Sequence, residues 1–183
     1  MIAVPDRLRE VYTRVHAVPE GRPARDVALL GVRIGLAWVF IYNGGGKLFG
    51  LFGGGGVHQA SRFFGEVAHL HPAVFFTVLA GITEFFGGIG VGVGFLGRLA
   101  AVGLVGDMVM AMITVTWKNG IVSNAPGGGY QLNLALITMA LVVALMGTGR
   151  LSLDELLRRA WASRSTAEGV PARAGSVTGA AHG

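Results

Sequence analysis

A single acidic residue, Glu84, lies near the middle of a 24-residue segment, Pro72 to Phe95, that contains no other charge. A transmembrane helix needs about 20 predominantly apolar residues, so this segment is long enough to cross a bilayer. A carboxylate at that depth is costly, and such residues usually mark a function or a buried pairing. Glu84 is therefore the first candidate for proton chemistry or for binding a polar head group.

Two further charges, Arg33 and Asp107, fall inside predicted spans. At 1.5 Å rise per residue, Arg33 lies roughly 9 Å and Asp107 roughly 12 Å from the cytoplasmic ends of their spans, which favours an ion pair between them. Glu84 lies about 16 Å deep, within reach of the Arg33 guanidinium. A triad would leave one acid in excess, so we expect one carboxyl to hold a proton. Glu84, Arg33 and Asp107 are the candidate catalytic residues.

A second polar layer is predicted near the outer ends of the spans, formed by Asn43, Lys47, Gln131 and Asn133. A quinone head group fits such a pocket, because it needs hydrogen-bond donors and a proton-exchanging acid beside an apolar channel. These four residues are the candidate cofactor-binding residues. The alternative is that the charges only join the helices, since paired ions are often structural.

The composition predicts an all-α integral membrane protein. The chain is 52% hydrophobic and 14% charged, against about 25% charged in soluble domains. Long apolar runs without period-2 alternation indicate helices rather than barrel strands. We predict one transmembrane domain, residues 27–149, as a four-helix bundle with spans at about 27–46, 72–95, 99–117 and 130–149.

The distribution of basic residues predicts the orientation. One side collects two groups of five arginines and the turn residue Arg98; the groups are Arg7, Arg9, Arg14, Arg22, Arg25 and Arg150, Arg158, Arg159, Arg164, Arg173. The other side holds Lys47, Arg62 and Lys118. The positive-inside rule then puts both termini in the cytoplasm. We predict an amphipathic segment at 1–26, an interfacial amphipathic helix at 150–162 that begins with a Ser152–Glu155 capping box, and a disordered tail at 163–183.

Several function classes are disfavoured by the residues themselves. The chain has no cysteine, which excludes disulfides and cysteine-ligated iron–sulfur or metal sites. None of the five histidines lies inside a predicted span, which argues against a haem held between helices. His58, His69 and His71 could bind a metal in an outer loop, but loop histidines are more often solvated, so we predict no metal. The arginines cluster in the tails, which argues against nucleic acid as a partner.

An ordered set of short motifs resembles the DoxX family of small four-helix bacterial membrane proteins, over about residues 27–154. The set comprises Arg33 with Gly35, the G-G-x-K-L-F-G segment 44–50, Glu84 followed by Gly87-Gly88, the turn Gly97-Arg98, the segment 127–130, and the segment 147–154. The family pattern often has a glutamate after the G-G-x-Y segment, where this chain has Gln131. Of the candidate residues, Arg33, Lys47 and Glu84 match the family pattern.

The resemblance implies a multi-pass subunit of the bacterial inner membrane that takes part in quinone redox chemistry, such as thiosulfate oxidation or the response to oxidative stress. On that basis the expected cofactor is a quinone, and the expected partners are the lipid bilayer, soluble redox enzymes or other membrane subunits, and further copies of this chain. Two alternatives stay open. One is a non-catalytic anchor or assembly factor that recruits soluble partners, and the other is a small-molecule or proton carrier.

Overall fold

The computed structural model describes residues 22–168, and every regular element within that range is helical. The helices are α1 (Arg22–Phe49), α2 (Gly56–Glu66), α3 (Ala73–Val93), α4 (Gly97–Ala111), α5 (Gln131–Met146) and α6 (Leu153–Glu168). Helix α4 continues through a π-helical turn at Met112–Thr116 and a 3₁₀ turn at Trp117–Asn119. The predicted all-α class is confirmed for this part of the chain.

Three helical segments are long and apolar enough to cross a membrane: Pro23–Phe49, Ala73–Val93 and Gly97–Asn119. Helix α5 is also apolar but has only 16 residues, about 24 Å against the roughly 30 Å of a bilayer core. Large apolar side chains cover the outer surface; Trp38 is 76% exposed and Leu145 is 77% exposed. An apolar exterior of this kind indicates a membrane bundle with three to four spans.

The four apolar helices enclose a compact core. Its buried side chains come from α1, α3, α4 and α5: Leu36, Phe40, Val91, Ala101, Leu104, Leu136, Ala140 and Val143. Glycines let α1 and α3 approach closely outside this core. A Cβ atom on Gly44 would lie 2.5 Å from the Phe85 nitrogen, and one on Gly88 would lie 3.1 Å from Ile41. Small residues allow such backbone contact between membrane helices.

The turn between α3 and α4 is fixed by Asp154 at the start of α6. Helix α3 ends at Gly94, whose φ of 71° is a left-handed conformation that glycine adopts without steric cost. The backbone N–H groups of Leu96 and Gly97 donate to the Asp154 carboxylate, at 2.9 and 3.2 Å. The Asp154 N–H in turn donates to the Gly94 carbonyl at 2.9 Å. The carboxylate therefore caps α4 and docks α6 onto the bundle.

The described residues cover part of the predicted flanking segments. The Glu155 N–H donates to the Ser152 hydroxyl oxygen at 3.3 Å, as one half of the predicted capping box requires. Helix α6 continues to Glu168, six residues beyond the predicted boundary. The amphipathic segment expected at 1–26 lies almost wholly outside the described residues, as does the tail from residue 169 onward.

Candidate functional site

The central feature of the site is an ion pair between Lys47 in the last turns of α1 and Glu84 in the middle of α3. The Lys47 ammonium donates to both carboxylate oxygens, Oε1 at 2.7 Å and Oε2 at 2.5 Å. The glycine contact between α1 and α3 lies one turn away, because Gly44 precedes Lys47 by three residues and Gly81 precedes Glu84 by three. Close backbone approach thus brings the two charges together.

Asp107 on α4 lies beside this pair. Its carboxylate interacts electrostatically with both Glu84 and Lys47. The Asp107 Oδ2 atom is buried, and no hydrogen-bond donor reaches it. Buried polar atoms without a partner are rare in folded proteins, and each one calls for a reason. Two carboxylates facing one ammonium also give the cluster a formal charge of −1, so a proton or a donor from a ligand would stabilise it.

These groups line an internal space, here called the main cavity, with a volume of about 500 Å³. Most of its wall is apolar. Its polar wall residues include Lys47, Glu84, Asp107, Asn43, Asn133 and Thr116. The Thr116 hydroxyl donates to the Asn133 Oδ1 at 3.2 Å, and the Asn133 amide donates to the Met108 sulfur at 3.7 Å. The Asn133 side chain is therefore held in one orientation at the cavity wall.

Helix α2 and the π-helical turn complete the wall. Phe63 and Phe64 of α2 and Thr116 of the π turn line the cavity, and none of them was a candidate from the sequence. The amphipathic pattern of residues 56–66, with Phe63 and Phe64 on one face, was the available signal. A π turn inside a helix is rare and often occurs at functional sites, but it has no reliable sequence signal.

The main cavity reaches the membrane-facing surface between α3 and α4. The two helices contact each other where Gly87 meets Leu104 and Gly90 meets Ala100. Farther out, both helices line the cavity instead. Gly106 is exposed, lines the cavity and has open space where a Cβ atom would lie. The gap beside Gly106 is therefore the mouth through which a lipid-soluble ligand could enter.

Arg33 does not belong to this cluster, and its predicted ion pair with Asp107 and its predicted role in balancing Glu84 are wrong. The guanidinium is 1% exposed and donates to four backbone carbonyls, those of Val91, Gly92, Thr148 and Leu151, at 2.7–2.8 Å. Carbonyls at helix ends lack intrahelical partners, so they compete with distant carboxylates for arginine. Arg33 joins the end of α3 to residues 148–151, the segment that follows α5, instead.

The remaining predicted residues divide between the cavity and the surface. Asn43 lines the main cavity and donates its amide to the Val39 carbonyl at 2.8 Å. Gln131 is exposed at the start of α5 and does not line the cavity. Within residues 22–168, no group of three or more potential metal-ligating side chains forms.

The fold and the site define a small helical membrane protein with an internal, largely apolar cavity beside a buried ion pair. The chain belongs to the DoxX family, because residues 28–117 match the DoxX family model. The matched region begins in α1 and ends at Trp117, just after the π-helical turn that follows α4. It includes Lys47, Glu84 and Asp107. Comparisons with curated proteins and with solved structures gave no significant match.

Proposed function

We propose that this chain is the membrane subunit of a quinone-linked oxidoreductase complex and that the main cavity holds the quinone head group. The observation that supports the proposal is the unpartnered Oδ2 of Asp107, beside an ion pair in a largely apolar cavity with a mouth on the lipid side. Small-molecule sites are typically 300–1,000 Å³, apolar, and equipped with a few convergent polar groups. The volume of about 500 Å³ lies within that range.

The unused hydrogen-bonding capacity of the cluster fits a quinone. An ammonium has three donors, and Lys47 directs hydrogen bonds to the two Glu84 oxygens, which leaves one donor for a carbonyl oxygen. Asp107 Oδ2 receives no hydrogen bond, and we propose that it accepts one from a hydroxyl of the ligand. When bound, a quinone would supply a carrier of two electrons and two protons. Its carbonyl and hydroxyl forms would each find a complementary group here.

We propose different roles for the two acids. Both oxygens of Glu84 are engaged by Lys47, so Glu84 holds the ammonium in place. Asp107 lines the cavity and has an oxygen that receives no hydrogen bond, so we propose that Asp107 is the group that exchanges a proton with the ligand. Asn133, oriented by Thr116, is available to position the head group. This assignment moves the proton role from Glu84, the first candidate from the sequence, to its neighbour.

Electrons that pass through a bound quinone need a second redox centre. The chain has no cysteine to hold an iron–sulfur cluster, so the proposal includes a partner, either a soluble redox enzyme or another membrane subunit. The arginine-rich segments around Arg158 and Arg159 would face that partner from the cytoplasmic side of the bacterial inner membrane. Assembly with further copies of this chain is compatible with the exposed apolar surface of the helices.

A photoreactive quinone tests the proposal in native membranes. We expect an azidoquinone to label peptides of α3, α4 or α2 that line the main cavity, and an excess of unlabelled short-chain quinone to prevent the labelling. A photoreactive alkyl lipid without the head group serves as the control and should not be displaced. Labelling confined to lipid-facing residues such as Trp38 and Leu145, unaffected by competitor, would contradict the proposal and favour the anchor hypothesis.

A further inference from the structure

A second cavity of about 380 Å³ lies between the end of α1, the glycine-rich segment 50–55 and helix α2. We call it the vestibule. Its own lining residues include Tyr42, Gly46, Phe52 and Gln59. It shares three lining residues with the main cavity: Asn43, Lys47 and Phe63. The two spaces are therefore neighbours, separated by these three side chains.

The Lys47–Glu84 ion pair lies at the boundary between the vestibule and the main cavity. The Lys47 side chain is 25% exposed and lines both spaces, whereas the Glu84 side chain is 4% exposed and lines the main cavity. The Lys47 side chain therefore borders both spaces, whereas Glu84 and Asp107 line only the main cavity. An ionisable side chain that borders both spaces is well placed to pass a proton between them.

The vestibule has the polarity and the position of a water-filled space. The amides of Asn43 and Gln59 and the backbone of the glycine-rich segment supply polar groups, and the Tyr42 hydroxyl donates to the Phe52 carbonyl at 3.2 Å. At about 30 Å³ per water molecule, its volume holds on the order of ten waters. Exposed polar residues of α2, including His58 and Arg62, indicate that this helix lies at the aqueous surface.

We infer that the vestibule is a water-filled channel through which the aqueous phase exchanges protons with the Lys47–Glu84 pair and, beyond it, with Asp107. Only a proton moves: water in the vestibule takes it up as hydronium, and the carboxyl that released it returns to carboxylate. The water access stands on the geometry alone, whereas its purpose in proton exchange rests on the proposed function. The main cavity would then receive its ligand from the lipid and its protons from water.

The native chain contains no cysteine, so a single introduced cysteine can report the access of a thiol reagent to its position. Two glycines are suitable positions for this test. A Cβ atom at Gly46 would make ordinary contacts at 3.5 and 3.6 Å in the vestibule, and one at Gly106 would face open space at the lipid-side mouth. In proteoliposomes, we expect a charged, membrane-impermeant thiol reagent to modify Gly46→Cys at least about tenfold faster than Gly106→Cys. Equal rates, or a faster reaction at Gly106→Cys, would overturn the inference.

A blocking substitution then tests whether the vestibule leads to the ion pair. Lys47 and Lys118 are the only lysines of the chain, so Lys118 serves as an internal reference for a water-soluble acylating reagent. We expect Gln59→Trp, which fills the vestibule, to slow acylation of Lys47 relative to Lys118 at least about tenfold. His58→Trp, on the same helix but outside the vestibule lining, should leave the ratio unchanged. An unchanged ratio in Gln59→Trp would contradict the inference.

The inference about the water-filled vestibule and the quinone proposal can be contradicted independently of each other. Gly106→Phe, at the mouth of the main cavity, should leave Lys47 acylation unchanged if water arrives through the vestibule; slower acylation in that variant would also overturn the inference. Acylation and thiol modification need no quinone. If both reactions follow expectation but no quinone binds, the water-filled vestibule stands and the quinone proposal falls.

Discussion

The Lys47 ammonium donates to both carboxylate oxygens of Glu84, at 2.7 and 2.5 Å, and thereby joins α1 to α3 at the wall of the main cavity. The pair depends on the glycine contact next to it, since a wider helix separation would leave the two charges apart. Each charge alone would be costly in a membrane, and together they are tolerated. The pair is therefore both a structural link and one side of the proposed ligand site.

Removing Lys47 leaves the carboxylates of Glu84 and Asp107 without their cation. We expect Lys47→Met to lower the free energy of unfolding by about 3 kcal/mol, and Glu84→Gln to lower it by less, because Asp107 still lies beside the Lys47 ammonium. The double variant should be destabilised by clearly less than the sum of the single changes, because it removes both members of the pair. Reversible unfolding in mixed detergent micelles measures all four proteins. Strict additivity would show that the two side chains do not interact.

The glycine contact between α1 and α3 can be tested by adding one methyl group. A Cβ atom on Gly44 would lie 2.5 Å from the Phe85 nitrogen and 2.9 Å from the Gly81 oxygen, both backbone atoms that cannot rotate away. We expect Gly44→Ala to cost about 1–3 kcal/mol. The control is Gly31→Ala on the same helix, where the added carbon has nothing within 4 Å and improved helix propensity should be neutral or stabilising. Equal stability of the two variants would contradict the close packing.

Arg33 holds helix ends together and lies outside the ligand site. We expect Arg33→Met to lower the free energy of unfolding by at least about 3 kcal/mol, because several buried carbonyls lose their donor and each such loss costs about 1–3 kcal/mol. Arg33→Lys should recover only part of this, since an ammonium cannot reproduce the planar fork of the guanidinium. Quinone affinity of the folded fraction should stay unchanged. If an Arg33 variant kept full stability but lost quinone affinity, Arg33 would have to belong to the ligand site.

Helix α6 should respond to acid through Glu155. Hydrogen bonds from Arg158 and Arg159 lower the pKa of Glu155 to about 2, against an ordinary value of 4.5. Because the folded pKa is depressed, the stabilisation of the helix is fully present above about pH 4.5 and is lost as the pH falls toward 2. The protection factors for amide hydrogen exchange across α6, which correct for the pH dependence of the intrinsic exchange rate, should therefore fall over this window. Glu155→Gln should show no such pH dependence, and an identical profile in both proteins would refute the assignment.

The sequence predicts the helices well because their signals are local. Runs of apolar residues define the spans. Gly94 and Gly147 mark the ends of α3 and α5, and both have positive φ values. The importance of Glu84 follows from the cost of a charge in lipid. Lys47 and Asn43 were predicted to belong to one polar layer because they lie close together at the end of the first span, and both line the main cavity.

The pairing of charges could not be predicted in the same way. Depth along a helix says nothing about which neighbour a side chain faces, so Arg33 and Asp107 were matched by depth although they have different partners. The carbonyls that bind Arg33 become available only because α3 ends and the chain turns there. The contribution of α2 to the cavity depends on how a loop helix folds back over the bundle, which is set by tertiary contacts.

The most direct test of the account is the affinity of the purified protein, in lipid nanodiscs, for a short-chain quinone. We expect the native chain to bind it and Gly106→Phe, which fills the mouth of the main cavity, to weaken binding at least tenfold, a loss of about 1.4 kcal/mol. Gly31→Phe, at an equally open position on α1 outside the cavity, should bind as tightly as the native chain. No binding by the native chain, or equal affinities in the two variants, would contradict a quinone site in this cavity.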